Sequence, residues 1–463
     1  MKEDNTGLII DKKTIDEIKA FEVDVSVEPD SSEHHHHSSH SHHGHHSHHS
    51  KRGHHNSRHR RKHSSKKKSS KFATFMKKHK SVLINIVSCT VSVALLIIMA
   101  TTIDFSKKTN EEIDVQDITQ STIKIETSIF SEKIPLINNA IFYYLNTDNE
   151  AGVVETYKLF DGHKRKLNVG LPVNLTYSVA GIPSGVAVVS AELELSENSD
   201  YKKPSTYDID INTSSIDIFN LKTGTKYYYR INYILSNGCE VGTFGSFETE
   251  KSPRIMNIDG AVNVRDIGGW TTDDGKTLKQ GLLYRGSELD GAVKSDYNLT
   301  EKGLKTMLWD LGIRFDMDLR SSSENSNGED ALGKGVKHIY YGIPMYVDVF
   351  NPENNEAVRS LFSELSDENN YPIYMHCTYG LDRTGTICYL LEALLGVETE
   401  SLYKDYELSG FTHEYINPAF TSFVEYINTM DGDTVKDKVE GYLTSVGVTA
   451  REIANIREIF LGE

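Results

Sequence analysis

Cysteine is scarce in this chain, with four residues among 463: Cys89, Cys239, Cys377 and Cys388. A chain with so few cysteines is not built on a disulfide framework, so its folded parts need hydrophobic cores. Cys388 stands in an apolar, helix-forming segment and is predicted to be a core residue. Cys239 follows the turn-forming pair Asn237-Gly238, and Cys377 has the surroundings best suited to chemistry.

Acidic residues are absent from 34–80, a segment with 13 Lys and Arg and 16 of the chain's 20 His. Apolar residues are almost absent before Phe72, so this segment cannot bury enough surface to offset the entropy of ordering. We therefore predict a disordered, His- and Lys-rich tail over 1–80. Its histidine tract has the composition of a flexible segment with incidental metal affinity, and its basic run favours anionic lipid headgroups over nucleic acid.

Long apolar runs are lacking too, with one exception. The 23 residues from Ser81 to Ile103 carry no charge, and that length spans a bilayer core as one helix. Basic residues precede this run and only two closely follow it, which under the positive-inside rule places the N-terminus in the cytoplasm. The sequence thus predicts a transmembrane helix over 81–103 and a single-pass protein of the cell membrane, with residues 104–463 extracellular.

Positive charge is in short supply after that run. Residues 104–463 hold 56 Asp and Glu against 33 Lys and Arg, a net charge of −23, which argues against a nucleic-acid partner. Histidine is sparse there, and His338, His376 and His413 lack the spacing of metal ligands. We therefore predict no nucleic-acid partner, no metal and no cofactor.

A polar stretch over 104–134 is predicted to be a stalk, and a first folded domain follows it over 135–250. In this domain short apolar or alternating runs, such as 140–144 and 227–231, are separated by turn signals. That pattern is typical of an antiparallel β-sandwich.

One corner of this domain has a resemblance of its own. The stretch from Leu221 to Arg230 resembles the Leu-x-Pro-Gly-Thr-x-Tyr corner of fibronectin type III domains, with Thr223 in place of the proline. The resemblance implies a fibronectin type III-like module that acts as a spacer or presents a ligand.

The second domain, 255–463, mixes strands with helices. Strands are predicted at 313–319, 336–341 and 371–376, and helices at 301–311, 354–366, 384–395 and 447–459. We therefore predict an α/β domain with a largely parallel sheet flanked by helices. The carboxyl end of the strand at 371–376 is where such a sheet places a ligand.

The run from His376 to Gly385 carries the clearest chemical signal: Cys377, five residues, then Arg383, followed at once by Thr384-Gly385. A thiolate needs a positive, amide-rich setting near neutral pH. Backbone N–H groups of a curled loop form an anion nest, a guanidinium adds a bidentate fork, and a following helix N-terminus adds positive potential. The predicted phosphate-binding residues are Thr378, Tyr379, Gly380, Leu381, Asp382 and Arg383.

These residues resemble the active-site loop of the cysteine-dependent protein tyrosine phosphatase superfamily, most closely its bacterial and fungal tyrosine/serine phosphatases, some of which also cleave phosphoinositides. Further segments of 255–463 are similar to the same group. They are Asn263 to Gly269, Leu283 to Leu289, Gly312 to Arg320 with Glu324, Leu394 to Val397 and Asp405 to Ser409. One departure is Leu381, where many relatives carry a lysine that holds highly charged phosphoinositide headgroups.

The resemblance implies a metal-independent hydrolase that forms a phospho-cysteine on Cys377. Arg383 and the loop amides would stabilise charge, and Thr384 would donate its hydroxyl to the departing thiolate or cap the helix. For the general acid, the resemblance favours Asp382, with Asp266 and Asp318 as alternatives.

Supporting residues are also predicted beside this loop. His376 is expected to orient the loop through hydrogen bonds, or to be a simple buried histidine. Arg265 and Asp266 are expected to pair with each other, and Arg320 is expected to pair with Glu324.

Three hypotheses for function follow. The first is a membrane-anchored phosphatase that acts on phosphotyrosine and, secondarily, on phosphoserine or phosphothreonine. The second keeps the chemistry but acts on a phosphoinositide, an inositol phosphate or a cell-wall phosphoester. The third is a surface recognition or adhesion protein that uses the fold only as a scaffold.

Overall fold

The computed structural model describes residues 123–129, 131, 133–146, 152–162, 167–324 and 330–462. The predicted tail, 1–80, and the predicted span, 81–103, lie outside these residues. Within them no helix is both long enough and apolar enough to cross a bilayer. This finding contradicts the predicted transmembrane helix, the predicted single-pass localisation and the predicted membrane partner.

Strands of the first domain alternate buried and exposed side chains, as residues of a half-buried strand do. In the ten-residue strand from Lys226 to Leu235, every second side chain faces the core. The strands are β1 (Lys124–Ile129), β2 (Lys133–Ile134), β3 (Val173–Ala180), β4 (Val188–Ser196), β5 (Ser205–Ile209), β6 (Ser215–Ile218), β7 (Lys226–Leu235) and β8 (Glu240–Thr249).

These strands form two sheets, ordered β1-β3-β6 and β2-β8-β7-β4-β5. All their pairings are antiparallel except the short contact between β2 and β8. Their buried side chains form one hydrophobic cluster that includes Val173, Leu193 and Ile231. The stretch predicted as a stalk, 104–134, therefore contributes β1 and β2 to this pair of sheets.

The described part of the first domain also contains two helices, and the first of them lies where a strand was predicted. They are α1 (Asn139–Asn146) and α2 (Val153–Leu159). The run 140–144 is rich in strand-forming aromatics, but Ile137, Ala140, Ile141 and Tyr144 fall on one face of a helix. That face packs against Leu408 and Phe411 of the second domain, so tertiary packing overrides the local preference.

The second domain contains six strands: β9 (Arg254–Ile255), β10 (Arg265–Asp266), β11 (Leu283–Gly286), β12 (Phe315–Asp318), β13 (Lys337–Tyr340) and β14 (Ile373–His376). They form one sheet in the order β13-β12-β14-β11-β10-β9. Strands β13, β12, β14 and β11 are parallel to one another, as predicted. Strands β10 and β9 add an antiparallel edge, so the sheet is mixed. Strand β14 lies between β12 and β11, which puts its carboxyl end at the middle of the sheet.

The helices of the second domain are α3 (Glu301–Lys305), α4 (Asn355–Leu365), α5 (Asp382–Leu394), α6 (Thr399–Glu407), α7 (Gly410–His413), α8 (Ala419–Asn428), α9 (Val435–Ser445) and α10 (Ala450–Leu461). A π-helical turn, Thr306–Asp310, continues α3. Helix α5 buries nearly all of its side chains, including Cys388. This helix and β14 therefore run through the core of the domain, and the loop between them is held at both ends.

The two domains meet at Arg254. Its guanidinium donates to the backbone carbonyls of Asn220 and Leu221 in the first domain, and to Asp266 and the Tyr284 hydroxyl in the second. Burial would lower the pKa of Arg254, but the neighbouring Tyr284 and Asp266 outweigh it and raise that pKa. A permanently charged, hydrogen-bonded side chain thus joins the domains.

Candidate active site

Cys377 lies at the carboxyl end of β14 and is 2% exposed. The chain then turns through residues 378–381 and enters α5 at Asp382. The turn requires a glycine at Gly380, where φ is +67° and an added Cβ would stand 2.5 Å from the backbone of Gly286. Strand, loop and helix are therefore arranged as the sequence predicts for an anion-binding turn.

The carbonyl groups of this loop are held by the residues around it. The Thr378 carbonyl accepts from the backbone N–H of Glu288 at 3.1 Å. The Tyr379 carbonyl lies 2.9 Å from His413 Nε2 and accepts from Asn263 at 3.2 Å. The Gly380 carbonyl accepts from Arg285 at 3.0 Å.

Fixing the carbonyls in this way also fixes the amides. In a planar trans peptide the N–H points opposite to the C=O, so the N–H groups of residues 379–381 face away from these outer contacts. Within the described residues, none accepts a hydrogen bond from the backbone N–H groups of 378–383. The loop thus has unpaired amides available to an anion.

Arg383 lies in the first turn of α5 and is held by Glu324. Its Nη1 donates to both carboxylate oxygens of Glu324, at 3.0 and 2.7 Å, and its Nη2 lies 3.4 Å from Thr378 Oγ1. Burial would raise the pKa of Glu324, but the hydrogen bond from Arg383 and that from the Ser321 amide lower it. Glu324 therefore stays ionised and orients the guanidinium beside the loop.

His376 is buried directly before the cysteine. Its Nε2 lies 2.9 Å from Asp316 and 3.7 Å from Asp318, both on β12. Burial would lower the pKa of His376, but these carboxylates outweigh it and raise the pKa to about 9. The imidazolium adds positive charge beneath the loop.

Arg320 pairs with three carboxylates, and the predicted partner, Glu324, is not among them. It donates to Asp318 at 2.7 and 3.0 Å, to Asp290 at 2.7 Å and to Glu288 at 2.5 Å. The predicted pair of Arg320 and Glu324 is wrong because Glu324 reaches Arg383 instead. Since the Glu288 amide donates to the Thr378 carbonyl, this cluster also supports the loop at 378–381.

A second buried cluster supports the other side of the loop. Arg265 donates to Asp405 at 2.9 Å, and Arg285 donates both to Asp405 and to the Gly380 carbonyl. Burial would raise the pKa of Asp405, but the two guanidinium groups lower it.

Asp266 lies outside this cluster and bonds Arg254 at 2.9 Å. The predicted pair of Arg265 and Asp266 is therefore wrong, because successive strand residues face opposite sides of the sheet.

The three candidates for the general acid have different surroundings. Asp266 is closed off by Arg254 and two backbone amides. Asp318 is enclosed by Arg320 and lies near two histidines. Asp382 is half-buried in the first turn of α5, where it accepts from Tyr346 at 2.5 Å and from Asn417 at 3.0 Å.

Thr384 and Leu381 are both buried. The Thr384 hydroxyl finds no hydrogen-bond partner within the described residues, so the contact with the Cys377 sulfur stays a prediction. Leu381 is 3% exposed and packs in the core. It contributes to the loop through its backbone.

Sequence reasoning missed several residues that hold the loop: Asn263, Arg285, Glu288, Asp405, His413 and Tyr346. The first four lie in segments that were noted for their resemblance, so their positions carried a signal. Their partners did not, because the contacts that hold the loop join segments 90 or more residues apart. Tyr346 and His413 lie outside those segments.

The comparisons with known proteins agree with this geometry. A sequence model of the tyrosine phosphatase family matches residues 256–462. The match confirms the predicted resemblance of these residues to the tyrosine phosphatase family, and it supports the predicted class of phosphatase-type hydrolase. The comparisons do not show the predicted resemblance to fibronectin type III domains.

Proteins named as tyrosine-protein phosphatases are among the relatives. One from Cupriavidus necator is 27% identical over 175 residues, or 33% of this chain and 61% of that protein. One from Nostoc commune is 26% identical over 22% of this chain and 41% of its own length. One from Dictyostelium discoideum is 27% identical over 20% of this chain and 60% of its own. The chain thus spans less than two thirds of these relatives.

Among solved structures, the core catalytic domain of the PP-IP phosphatase SIW14 from S. cerevisiae, in complex with citrate, is similar to 37% of this chain. The match covers 94% of that domain at 16% identity with a TM-score of 0.25. A likeness of this size carries no argument about this chain.

Proposed function

We propose that residues 255–463 hydrolyse phosphotyrosine monoesters through a phospho-cysteine on Cys377, with phosphoserine and phosphothreonine as secondary substrates. The observation that carries this proposal is the loop itself. Its carbonyls are fixed on the outside by Glu288, Arg285 and their neighbours, so its unpaired amides are available beside the cysteine. Such an arrangement binds a phosphoryl group in place of a water shell.

In the first step the Cys377 thiolate attacks phosphorus in line. The bond from phosphorus to the leaving oxygen breaks, and that oxygen takes a proton from Asp382. In the second step Asp382 accepts a proton from water as the water attacks phosphorus and the sulfur–phosphorus bond breaks. Inorganic phosphate leaves, and the loop amides and Arg383 stabilise the charge in both steps.

Aromatic side chains beside the loop support an aromatic ester as the substrate. The Tyr379 ring is half-buried, with its centroid 6.2 Å from that of Tyr297 and 5.5 Å from that of His413, both edge-on. Rings in such clusters pack well against a further aromatic ring. A phosphotyrosine side chain entering the loop would contact this aromatic wall, which is formed by Tyr379, Tyr297 and His413.

A second candidate, a phosphoinositide or inositol phosphate, is favoured by one cation at the same wall. Lys294 Nζ lies 5.3 Å from the Tyr379 ring centroid. Contact with the Tyr379 hydroxyl raises the pKa of this lysine. Position 381 is a buried leucine, and Lys294 is a nearby cation that could bind a second phosphate on such a substrate.

The test is turnover by the purified full chain with EDTA present, wild type beside Cys377→Ser. The substrates are a phosphotyrosine peptide, a phosphoserine peptide and a phosphoinositide. We expect fastest release of phosphate from the phosphotyrosine peptide, and none from Cys377→Ser. Faster phosphoinositide turnover would favour the second candidate, and equal activity of both proteins would contradict the cysteine mechanism. No turnover of any substrate would support a recognition protein.

A further inference from the structure

Both hydrogen bonds to the Asp382 carboxylate end on the same oxygen. The Tyr346 hydroxyl donates to Oδ1 at 2.5 Å and Asn417 Nδ2 donates to Oδ1 at 3.0 Å. Within the described residues no group donates to Oδ2. The two oxygens of this carboxyl group therefore have different surroundings, and Oδ2 is the one left to carry a proton.

Tyr346 is fixed in place from several sides. The residue is 4% exposed. Its backbone N–H donates to Thr386 Oγ1 at 2.9 Å, and that hydroxyl in turn donates to the carbonyl of Asp382 at 2.9 Å. Its main chain and its hydroxyl are thus both tied to Asp382, one through Thr386 and the other directly.

The backbone at Tyr346 is strained, with φ at +56°. A left-handed conformation at a residue other than glycine is unfavourable and persists only where the surroundings enforce it. Here the surroundings are the bond to Thr386 and a contact of 2.6 Å between the hydroxyls of Tyr346 and Tyr406. These contacts hold the strained backbone, and with it the Tyr346 ring, against the first turn of α5.

The Tyr346 hydroxyl acts as a donor to Asp382. Burial, the neighbouring Tyr406 and the bond to Asp382 all raise the pKa of Tyr346 far above its usual range. The phenol therefore keeps its proton at any working pH and continues to offer it to Oδ1.

We propose that Tyr346 is a positioning residue for Asp382: its hydroxyl holds Oδ1, so that the proton transferred to the leaving oxygen sits on Oδ2. This inference rests on the proposed function, in which Asp382 is the general acid. The Oδ2–H bond breaks as the leaving oxygen gains the proton and its bond to phosphorus breaks. The Asp382 carboxylate remains, held by Tyr346 and Asn417 until water returns the proton.

The experiment uses the leaving group as its readout. A phenol of low pKa departs without a proton, whereas phenol itself needs one, so a change in the acid affects only the second kind of ester. The full chain is assayed with 2,4-dinitrophenyl phosphate and with phenyl phosphate, as wild type, Tyr346→Phe and Asp382→Asn. Thermal unfolding of each variant is measured alongside.

For Tyr346→Phe we expect kcat on phenyl phosphate to fall about tenfold, and kcat on the dinitrophenyl ester to change less than about twofold. Asp382→Asn should show the same pattern with a loss of about 100-fold or more on phenyl phosphate. Asn417→Ala, which removes the other donor to Oδ1, should resemble Tyr346→Phe. If Tyr346→Phe does not fold, Asn417→Ala therefore carries the test.

Tyr442→Phe is the matched control, because its hydroxyl donates to the backbone carbonyl of Val349 at 3.1 Å. It should leave the ratio of the two rates as in wild type. An equal loss on both esters, or no loss on either, would overturn the inference if it were seen for folded Tyr346→Phe, or for Asn417→Ala where Tyr346→Phe does not fold. Turnover by Cys377→Ser at the wild-type rate would instead overturn the proposed function.

Discussion

The interiors of the two domains are stabilised by different kinds of interaction. In the first domain, every residue of the main cluster is hydrophobic, and within its described part no charged side chain is buried. In the second domain a set of charged side chains is buried, and several of them support the loop that follows Cys377. They are Arg254, Arg265, Asp266, Arg285, Glu288, Asp316, Asp318, Arg320, His376, Glu392 and Asp405.

Buried ion pairs are a poor source of stability, because desolvation offsets most of their attraction. Hydrophobic side chains of the same volume carry no such desolvation penalty when they are buried, and the first domain relies on them. What the pairs provide is direction: Arg285 reaches the Gly380 carbonyl, and the cluster around Arg320 includes Glu288, whose amide reaches the Thr378 carbonyl. Arg285 and the cluster around Arg320 are thus buried at the points where they hold the carbonyl groups of the loop in fixed positions.

The largest effect that would separate the two regions is expected for Arg285→Met. This change leaves the Gly380 carbonyl without its donor and removes one of the two cations facing Asp405. We expect the free energy of unfolding to fall by about 3–5 kcal/mol. We also expect kcat/KM on a phosphotyrosine peptide to fall by about 100-fold or more. Steady-state kinetics and denaturant unfolding of the same sample measure the two effects.

The matched control is Arg230→Met in the first domain. Arg230 pairs with Glu194 on the surface of the sheets, and its side chain is 44% exposed. Loss of an exposed pair costs no more than about 1 kcal/mol, and kcat/KM should stay at the wild-type value. Equal effects of the two variants would contradict the contrast between the domains.

The next effect is expected for Ile231→Ala, in the hydrophobic core of the first domain. The side chain is fully buried, so its truncation should cost about 2–5 kcal/mol of unfolding free energy. Activity measured well below the unfolding temperature should not change, because no hydrogen bond to the loop comes from this cluster. A loss of kcat/KM in folded protein would show that the first domain shapes the site.

The smallest effect is expected for pH, through His338. Its Nδ1 lies 2.6 Å from Asp330 and its Nε2 lies 3.8 Å from Asp318. Burial would lower the pKa of His338, but the nearby carboxylates of Asp318 and Asp316 and the hydrogen-bonded Asp330 raise it to about 9. Because the folded pKa exceeds the unfolded value, this stabilisation is complete below about pH 6.5 and is lost as the pH rises through about 9.

Unfolding free energies of wild type and His338→Gln over this window test the sign. The wild-type curve should decline more steeply than that of the variant between about pH 6.5 and 9. His376, with its own raised pKa, contributes a decline common to both proteins. Parallel curves would contradict a charged His338 in the folded state.

The sequence was a good guide where the signal is local. Cys377, Arg383 and the glycine at 380 lie within seven residues of one another, and the strand and helix around them, β14 and α5, formed within two or three residues of the predicted bounds. The α/β class followed from the same pattern. The antiparallel edge of the sheet did not, because β9 and β10 are two residues long.

The sequence failed where the determinant is tertiary. It paired Arg265 with Asp266 and Arg320 with Glu324, which are neighbours along the chain, whereas the structure pairs Arg265 with Asp405 and Arg383 with Glu324. It also predicted a strand at 140–144, where packing against Phe411 favours a helix. Long, charged side chains choose partners by fold, and one sequence does not show them.

The most direct test of the central claim is to trap the intermediate on the cysteine. The wild-type full chain is mixed with excess phosphotyrosine peptide, quenched rapidly with denaturant, digested and analysed by mass spectrometry. The account predicts one phosphoryl group on the peptide that contains Cys377, and none on that peptide from Cys377→Ser. Turnover without phosphoryl on Cys377, or with phosphoryl on another residue, would contradict it.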